Sequence, residues 1–412
     1  MNLRRSTAAL AAAAVIGLAA PAVAAGPSPS ASPTPAIPDG LYGSADPTYD
    51  GVWRQSLTLL AQHTVGAEPA SSAVGWLTGQ QCANGAFAAF RPDPAKACDA
   101  KLMVDTNSTG AAVQALAALG GHDATTGKAV TWLKSLQNAD GGWGYSPGGA
   151  SDANSTAVVI GALAATGEKP QEVRKGGKSP YDALLKLALP CAGDGAGAFA
   201  YQPDKKGTLA ANADATAAAV AGALGKGLAG DGMKPDGATL TCKDATDPGQ
   251  AARNGAAYLL KALAKDQHLT QALPGAKPQP DYGNTADAVV ALATVGQGEQ
   301  AARPLRWLEA HYAQWAKQSG PAAYAQLILA ANAEGFDPRD FGGQDLVRLM
   351  DATGPAPKSV PDADASSSDD SGTSATSDEG DGPLRVAWIG GACLLALTAG
   401  GILYTSRGGR RP

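Results

Sequence analysis

Four times along its 412 residues the chain sets Asp or Asn four residues ahead of a threonine, then runs through small apolar residues toward a glycine. Asp105–Thr109 leads to Gly120, Asp152–Thr156 to Gly167, Asn212–Thr216 to Gly227 and Asp281–Thr285 to Gly296. In three copies a leucine stands seven residues past the threonine (Leu116, Leu163, Leu292), and after Thr216 that place is Ala223. A second element recurs beside the first. Trp76-Leu77 leads to Phe87 and Trp132-Leu133 leads to Trp143, both eleven residues on, and Phe199-Ala-Tyr201 echoes Trp143-Gly-Tyr145. Each copy is then one supersecondary unit that buries its apolar face only by stacking on its neighbours.

One unit shows what the others are built to do. Asp152 and Asn154 suit a helix start, where a short side chain accepts orphan backbone N–H groups. The helix Ser155–Ala165 is small and apolar on all sides, which predicts burial all round, and Gly167 offers a left-handed stop. Thr125–Gln137 mixes polar residues with Val130, Trp132, Leu133 and Leu136, so only one face of that helix is buried. Such alternation predicts an inner and an outer layer. Inner helices are expected near 50–64, 105–120, 152–167, 211–227, 283–296 and 319–334. Outer helices are expected near 69–80, 125–138, 179–189, 248–265, 299–317 and 341–352. The pattern predicts an all-α fold, an α6/α6 toroid of repeated helical hairpins over residues 39–354, with an open solenoid as the alternative.

The flanking sequence speaks to location. Residues 1–24 read as a signal peptide: Arg4 and Arg5, an uncharged run from Ala8 to Ala20, and small residues at Ala22 and Ala24. Residues 25–38 form a Pro/Ser-rich linker, and 355–383 a disordered acidic stalk with seven acidic residues between Asp362 and Asp381. Residues 384–404 are expected to form one C-terminal transmembrane helix, since Val386–Tyr404 is uncharged and, at about 1.5 Å per residue, long enough to cross a hydrocarbon core. The tail 405–412 carries Arg407, Arg410 and Arg411, which orients it to the cytoplasm. The chain is therefore expected at the cell membrane as a single-pass protein with its bulk outside, and the membrane is its first partner. A net charge of −5 without a basic stripe argues against nucleic acid. Of five cysteines, Cys393 falls in the membrane segment, and the other four point to two disulfides outside the cell. Three connectivities are open; Cys82–Cys98 and Cys191–Cys242 are favoured, because each pair flanks an insertion between helices. No metal ligand spacing occurs: there is no CxxC, and His63, His122, His268 and His311 are scattered.

The stretch Trp132-Leu-Lys-Ser-Leu-Gln-Asn-Ala-Asp-Gly-Gly-Trp143-Gly-Tyr145 resembles the repeat motif of the terpenoid cyclase and protein prenyltransferase α/α-toroid superfamily. That resemblance implies the toroid but leaves the chemistry open. Cyclases resembling squalene–hopene cyclase protonate an alkene with Asp-x-Asp-Asp, and the body contains none. The zinc-holding Asp-x-Cys of prenyltransferases and the Cys-Gly-Glu-Gln of thioester domains are missing too; Cys191-Ala-Gly-Asp194 is neither. By resemblance the chain is closest in kind to the non-catalytic corrinoid carriers such as intrinsic factor and transcobalamin, although it lacks their second, β-rich domain. The expectation is thus a surface-anchored, non-catalytic toroid that binds a small molecule or a membrane transporter, with no resident cofactor and a corrinoid as candidate ligand. The alternative is a toroid-family enzyme, cyclase- or prenyltransferase-like or carbohydrate-active.

In a toroid the starts of the inner helices converge on one mouth. Asp105, Asp152, Asn212 and Asp281 would ring it, with Asn107, Asn154, Asp214 and, near Asp281, Asn284 behind or beside them. Trp143, Tyr145, Phe199, Tyr201 and Tyr282 would line the entrance, a polar ring with aromatic walls. The plainer expectation gives the Asp and Asn residues the work of helix caps and makes Gly-Gly-Trp143 a turn with an aromatic plug.

Overall fold

The computed structural model describes residues 37–230, 232–234, 239–271 and 277–361. The expected signal peptide, the linker before Ile37, the expected stalk beyond Pro361, the expected membrane helix with Cys393 and the basic tail lie outside the described residues. Among the described residues no helix is long and apolar enough to cross a membrane.

Twelve α-helices are present among the described residues. In chain order they are α1 (Gly51–Thr64), α2 (Ser71–Gly79), α3 (Thr106–Leu119), α4 (Asp123–Ser135), α5 (Ala153–Ala165) and α6 (Pro180–Leu187). The second half holds α7 (Ala213–Ala223), α8 (Pro248–Leu263), α9 (Tyr282–Thr294), α10 (Gly298–Ser319), α11 (Pro321–Ala333) and α12 (Leu346–Asp351). The odd-numbered helices pack in succession, α1 on α3, α3 on α5, α5 on α7, α7 on α9 and α9 on α11, and α11 returns to α1. That last contact closes the ring and rules out the open solenoid. Each even-numbered helix lies against the odd-numbered helix before it.

Burial explains the layering. In α5 every residue from Ala153 to Leu163 is buried, whereas α10 buries Ala301, Leu305, Leu308, Tyr312 and Ala316 along one face. Inner helices can crowd together because their contact residues are small: a Cβ added to Gly222 of α7 would stand 2.8 Å from the Ala157 Cβ of α5. The two ends of the ring are clasped. Tyr42 donates its hydroxyl to the Pro355 carbonyl at 2.6 Å, and the Gln62 amide of α1 donates to Asp351 at 2.7 Å.

Some boundaries differ from the sequence-based expectation, for local reasons. Helix α7 stops at Ala223 rather than near Gly227, because Gly225 already adopts φ +69°. Helix α12 begins at Leu346 rather than 341, because Phe341 and Gln344 pair across a tight turn. Two short hairpins were not expected. One pairs β1 (Phe199–Ala200) with β2 (Ala211–Asn212), and the other pairs β3 (Leu269–Gln271) with β4 (Gln279–Asp281). Both disulfides form as favoured, Cys82–Cys98 across the α2–α3 connection and Cys191–Cys242 between the chain after α6 and the chain before α8.

The repeated threonine has a single structural task. Its hydroxyl oxygen accepts the backbone N–H of the preceding turn: Phe87 to Thr109 at 3.0 Å, Trp143 to Thr156 at 3.1 Å, Phe199 to Thr216 at 2.9 Å and Leu269 to Thr285 at 3.0 Å. In α3 and α7 the same hydroxyl donates to the cap residue's carbonyl, Asp105 at 2.8 Å and Asn212 at 2.6 Å. A β-branched residue with a hydroxyl fits here because it bridges helix and turn without leaving a buried N–H unpaired. This latch sets each turn over the start of its own inner helix.

Candidate functional site

The starts of α3, α5, α7 and α9 gather at one end of the ring. The Thr106 N–H of α3 bonds the Tyr145 carbonyl at 2.9 Å, and the Ala153 N–H of α5 bonds the Tyr201 carbonyl at 3.1 Å. The turns carrying Tyr145 and Tyr201 therefore also cover the starts of α3 and α5. Every cap serves its helix. Asp105 accepts from the Ser108 N–H and Asp152 from the Ser155 N–H, both at 2.6 Å, and Asn212 accepts from the Ala215 N–H at 2.8 Å. Asp281 accepts from the Asn284 N–H at 3.2 Å and from its side-chain amide at 2.7 Å. Capping, the plainer expectation, is thus what these side chains do first.

Capping does not exhaust them. The Asn154 side-chain amide on α5 crosses to α7 and donates to Asp214 Oδ2 at 2.8 Å. The other oxygens of that pair, Asn154 Oδ1 and Asp214 Oδ1, are buried without a partner among the described residues, as are Asn107 Oδ1 and Asn284 Oδ1. Four inner helices in a row therefore present enclosed, unbonded acceptors within their first turn. Unmade buried hydrogen bonds are rare enough to mark a place where something else binds.

The electrostatics follow from burial. Burial pushes the Asp105 and Asp152 carboxyls up to about 6, held back in part by their Ser108 and Ser155 bonds. Burial pushes Asp214 further, to about 7, with the charges of Asp281 and Asp152 adding to the rise and the Asn154 amide opposing it. Burial likewise lifts the phenols of Tyr145 and Tyr201 to about 12, with Asp105 acting on the first and Asp152 and Asp214 on the second. Tyr201 remains 41% exposed, so it stands at the rim. Of the mouth carboxyls that burial raises, Asp214 is pushed furthest toward holding a proton at neutral pH.

The remaining candidates sit elsewhere. Trp143 and Phe199 are fully buried, and Trp143 donates its indole N–H to the Leu133 carbonyl at 2.7 Å. Trp143 is thus a plug in the wall, as the plainer reading has it, and Phe199 is buried like it and does not line the entrance. Tyr282 stacks on Trp315 at 5.3 Å and lies 5.1 Å from Trp307, facing outer helix α10. Sequence reading missed Glu334, whose carboxyl burial pushes up to about 8 beside a cavity of about 430 Å³ lined also by Met233, Lys234, Asn332 and Phe336. It lies past the C-terminal end of α11, and no repeated signal marks it. Among the described residues no cluster of His, Cys, Asp and Glu could hold a metal ion.

No protein-family model matches the chain. Drimenyl diphosphate synthase of Streptantibioticus cattleyicolor is 36% identical over 83 residues, which is 20% of this chain and 14% of that protein. Among solved structures, ent-copalyl diphosphate synthase from Streptomyces platensis aligns with a TM-score of 0.45 at 17% identity, over 69% of this chain and 50% of its own. A protein from Actinoplanes aligns with a TM-score of 0.46 at 16% identity, over 73% of this chain and 95% of its own. The chain thus spans one seventh of the curated relative and half of the synthase structure.

Proposed function

We propose that this terpenoid-cyclase-like ring of helices is an enzyme whose mouth delivers a proton from Asp214 to an isoprenoid-type alkene. One observation carries the reading: Asp214 holds one oxygen on Asn154, and the other is buried with no hydrogen-bond partner among the described residues. With Oδ2 accepting from Asn154, the proton belongs on Oδ1, the free oxygen. Transfer of that proton to a C=C bond leaves a carbocation and the Asp214 carboxylate, which the Asn154 amide then stabilises. The body has no Asp-x-Asp-Asp, but the charges of Asp152 and Asp281, at the starts of two other helices, act on Asp214. The sequence match to a diphosphate synthase favours this alternative over the non-catalytic one.

The non-catalytic surface binder, with a corrinoid or transporter partner, is the second reading. It is favoured by the caps, since Asp105, Asp152 and Asp281 all have a complete structural role without any substrate. Export and membrane anchoring, argued from the terminal sequences, belong to either reading, and the two disulfides support an oxidising compartment. The test is turnover of acyclic polyprenyl compounds with diphosphate, hydroxyl or amine heads, read as cyclised products by mass spectrometry. The proposal expects products from the wild type and none from a folded Asp214→Asn variant. No product from any of the three favours the binder, whereas unchanged turnover in the variant keeps an enzyme but removes Asp214 as its acid.

A further inference from the structure

The inner helices end, away from the mouth, on a residue that is almost always uncharged. In chain order it is Val65, Gly120, Thr166, Leu224, Val295 and Glu334. Of the six, only Glu334, which closes α11, puts a carboxyl at this place, and it does so on the wall of a cavity of about 430 Å³. Three parts of the chain build that cavity. Gly298 begins α10 beside the carboxyl: a Cβ added there would stand 3.3 Å and 3.4 Å from its two oxygens, so glycine leaves the group against bare backbone. The segment 232–234 forms a further wall. The Met233 N–H bonds the Ala293 carbonyl of α9 at 2.9 Å, and Gly232 lies so close to the Ala333 carbonyl of α11 that no side chain would fit there. Met233 and Phe336 supply apolar surface, and Lys234 and Glu299 supply one charge of each sign.

Enclosure without a partner is the second, independent observation. Glu334 Oε1 is buried and has no hydrogen-bond partner among the described residues, and Glu334 joins no ion pair found among them. Burial raises its carboxyl to about 8, with no cation holding it down. An enclosed acceptor of this kind is satisfied by an N–H or O–H donor, and a donor that carries positive charge makes the stronger bond. Lys234 offsets Glu299 on the lining, so an ionised Glu334 leaves one negative charge for a guest to balance.

We infer that this cavity is a binding site in its own right, which takes a small primary ammonium with its charged end on Glu334 and its apolar end against Phe336 and Met233. The site stands apart from the mouth and does not depend on Asp214. Entry of the cation sends the Glu334 proton to solvent and leaves an ammonium–carboxylate pair, so binding and proton release are linked.

Benzylamine, benzyl alcohol and benzoate share one ring and differ in charge, and each is titrated by calorimetry into the full chain at pH 7.5. The amine is expected to bind at least about tenfold tighter than the alcohol, with benzoate weakest. Repeating the amine titration in buffers of different ionisation heat should show roughly half a proton or more released per amine bound, since Glu334 titrates at about 8. Glu334→Gln keeps the shape of the side chain; it should bring the amine down to the alcohol's affinity and abolish the proton release. An amine that binds no better than the alcohol overturns the inference, as does an advantage that survives Glu334→Gln. Proton release that persists in the variant places the amine on another acid and overturns it too.

Discussion

Asn154 of one inner helix donates its amide to Asp214 of the next across 2.8 Å, and each keeps one buried oxygen without a hydrogen-bond partner among the described residues. This contact joins residues sixty positions apart, so it exists only because the ring brings successive repeats side by side. It holds the most strongly shifted carboxyl of the mouth in a fixed orientation, and the proposed chemistry depends on that orientation.

The raised acids give the fold a definite pH dependence. Asp105 and Asp152 sit at about 6 and Asp214 at about 7, all above the ordinary 3.8. Between those limits the folded chain binds more protons than the unfolded chain, so stability falls as pH rises. Their contribution is complete below about pH 3.8 and is lost through pH 6 to 7. Exposed carboxyls with depressed values, such as Asp93 and Asp204, act in the opposite sense and weakly. Asp214→Asn should flatten the decline and be more stable than wild type at pH 8 by up to about 4 kcal/mol, the rise from 3.8 to about 7 taken at about 1.4 kcal/mol per unit. Urea unfolding at pH 5 and pH 8 measures this; an equal loss at both values contradicts it.

The threonine latch should be worth more than its area. Thr156→Val keeps shape and apolar contact but leaves the buried Trp143 N–H without an acceptor. The expected loss is about 1–3 kcal/mol, the penalty of an orphaned buried donor. Thr156→Ser should recover most of it. Chemical denaturation of the three proteins decides, and a Val variant as stable as wild type would remove the latch from the account.

The two disulfides close loops of different length, with separations of 16 and 51 residues. Loop-closure entropy assigns about 3 kcal/mol to the first and about 4 kcal/mol to the second. Removing Cys191–Cys242 should therefore lower the unfolding free energy by about 1 kcal/mol more than removing Cys82–Cys98. Equilibrium unfolding of the two double-serine variants compares them directly.

Much of the fold could be read in the chain. Inner helices showed themselves because a residue buried on all sides must be small and apolar, as in Ala153–Leu163, and Asp105, Asp152, Asn212 and Asp281 announced the caps. Gly167 was read correctly as a left-handed turn, with φ +76°. What escaped was whatever depends on neighbours from other repeats. Nothing in the local sequence of Trp143 separates a plug from a lining residue, since that is settled by Leu133 and Thr156. The hairpins at Phe199 and Leu269 are too short to impose an alternating pattern. The Asp152, Asp214 and Asp281 cluster is spread across more than a hundred residues, so a search for a contiguous acid motif passes over it. Glu334 looks like any other polar residue after a helix; only its enclosure marks it.

The central claim is that Asp214 keeps its proton near neutral pH. Carboxyl-carbon NMR of the chain labelled at aspartate, assigned through Asp214→Asn, follows its ionisation directly. The account predicts a midpoint near 7, clearly separated from the exposed aspartates. A midpoint near the ordinary 3.8 would mean that Asp214 is a carboxylate throughout the working range and cannot deliver the proton.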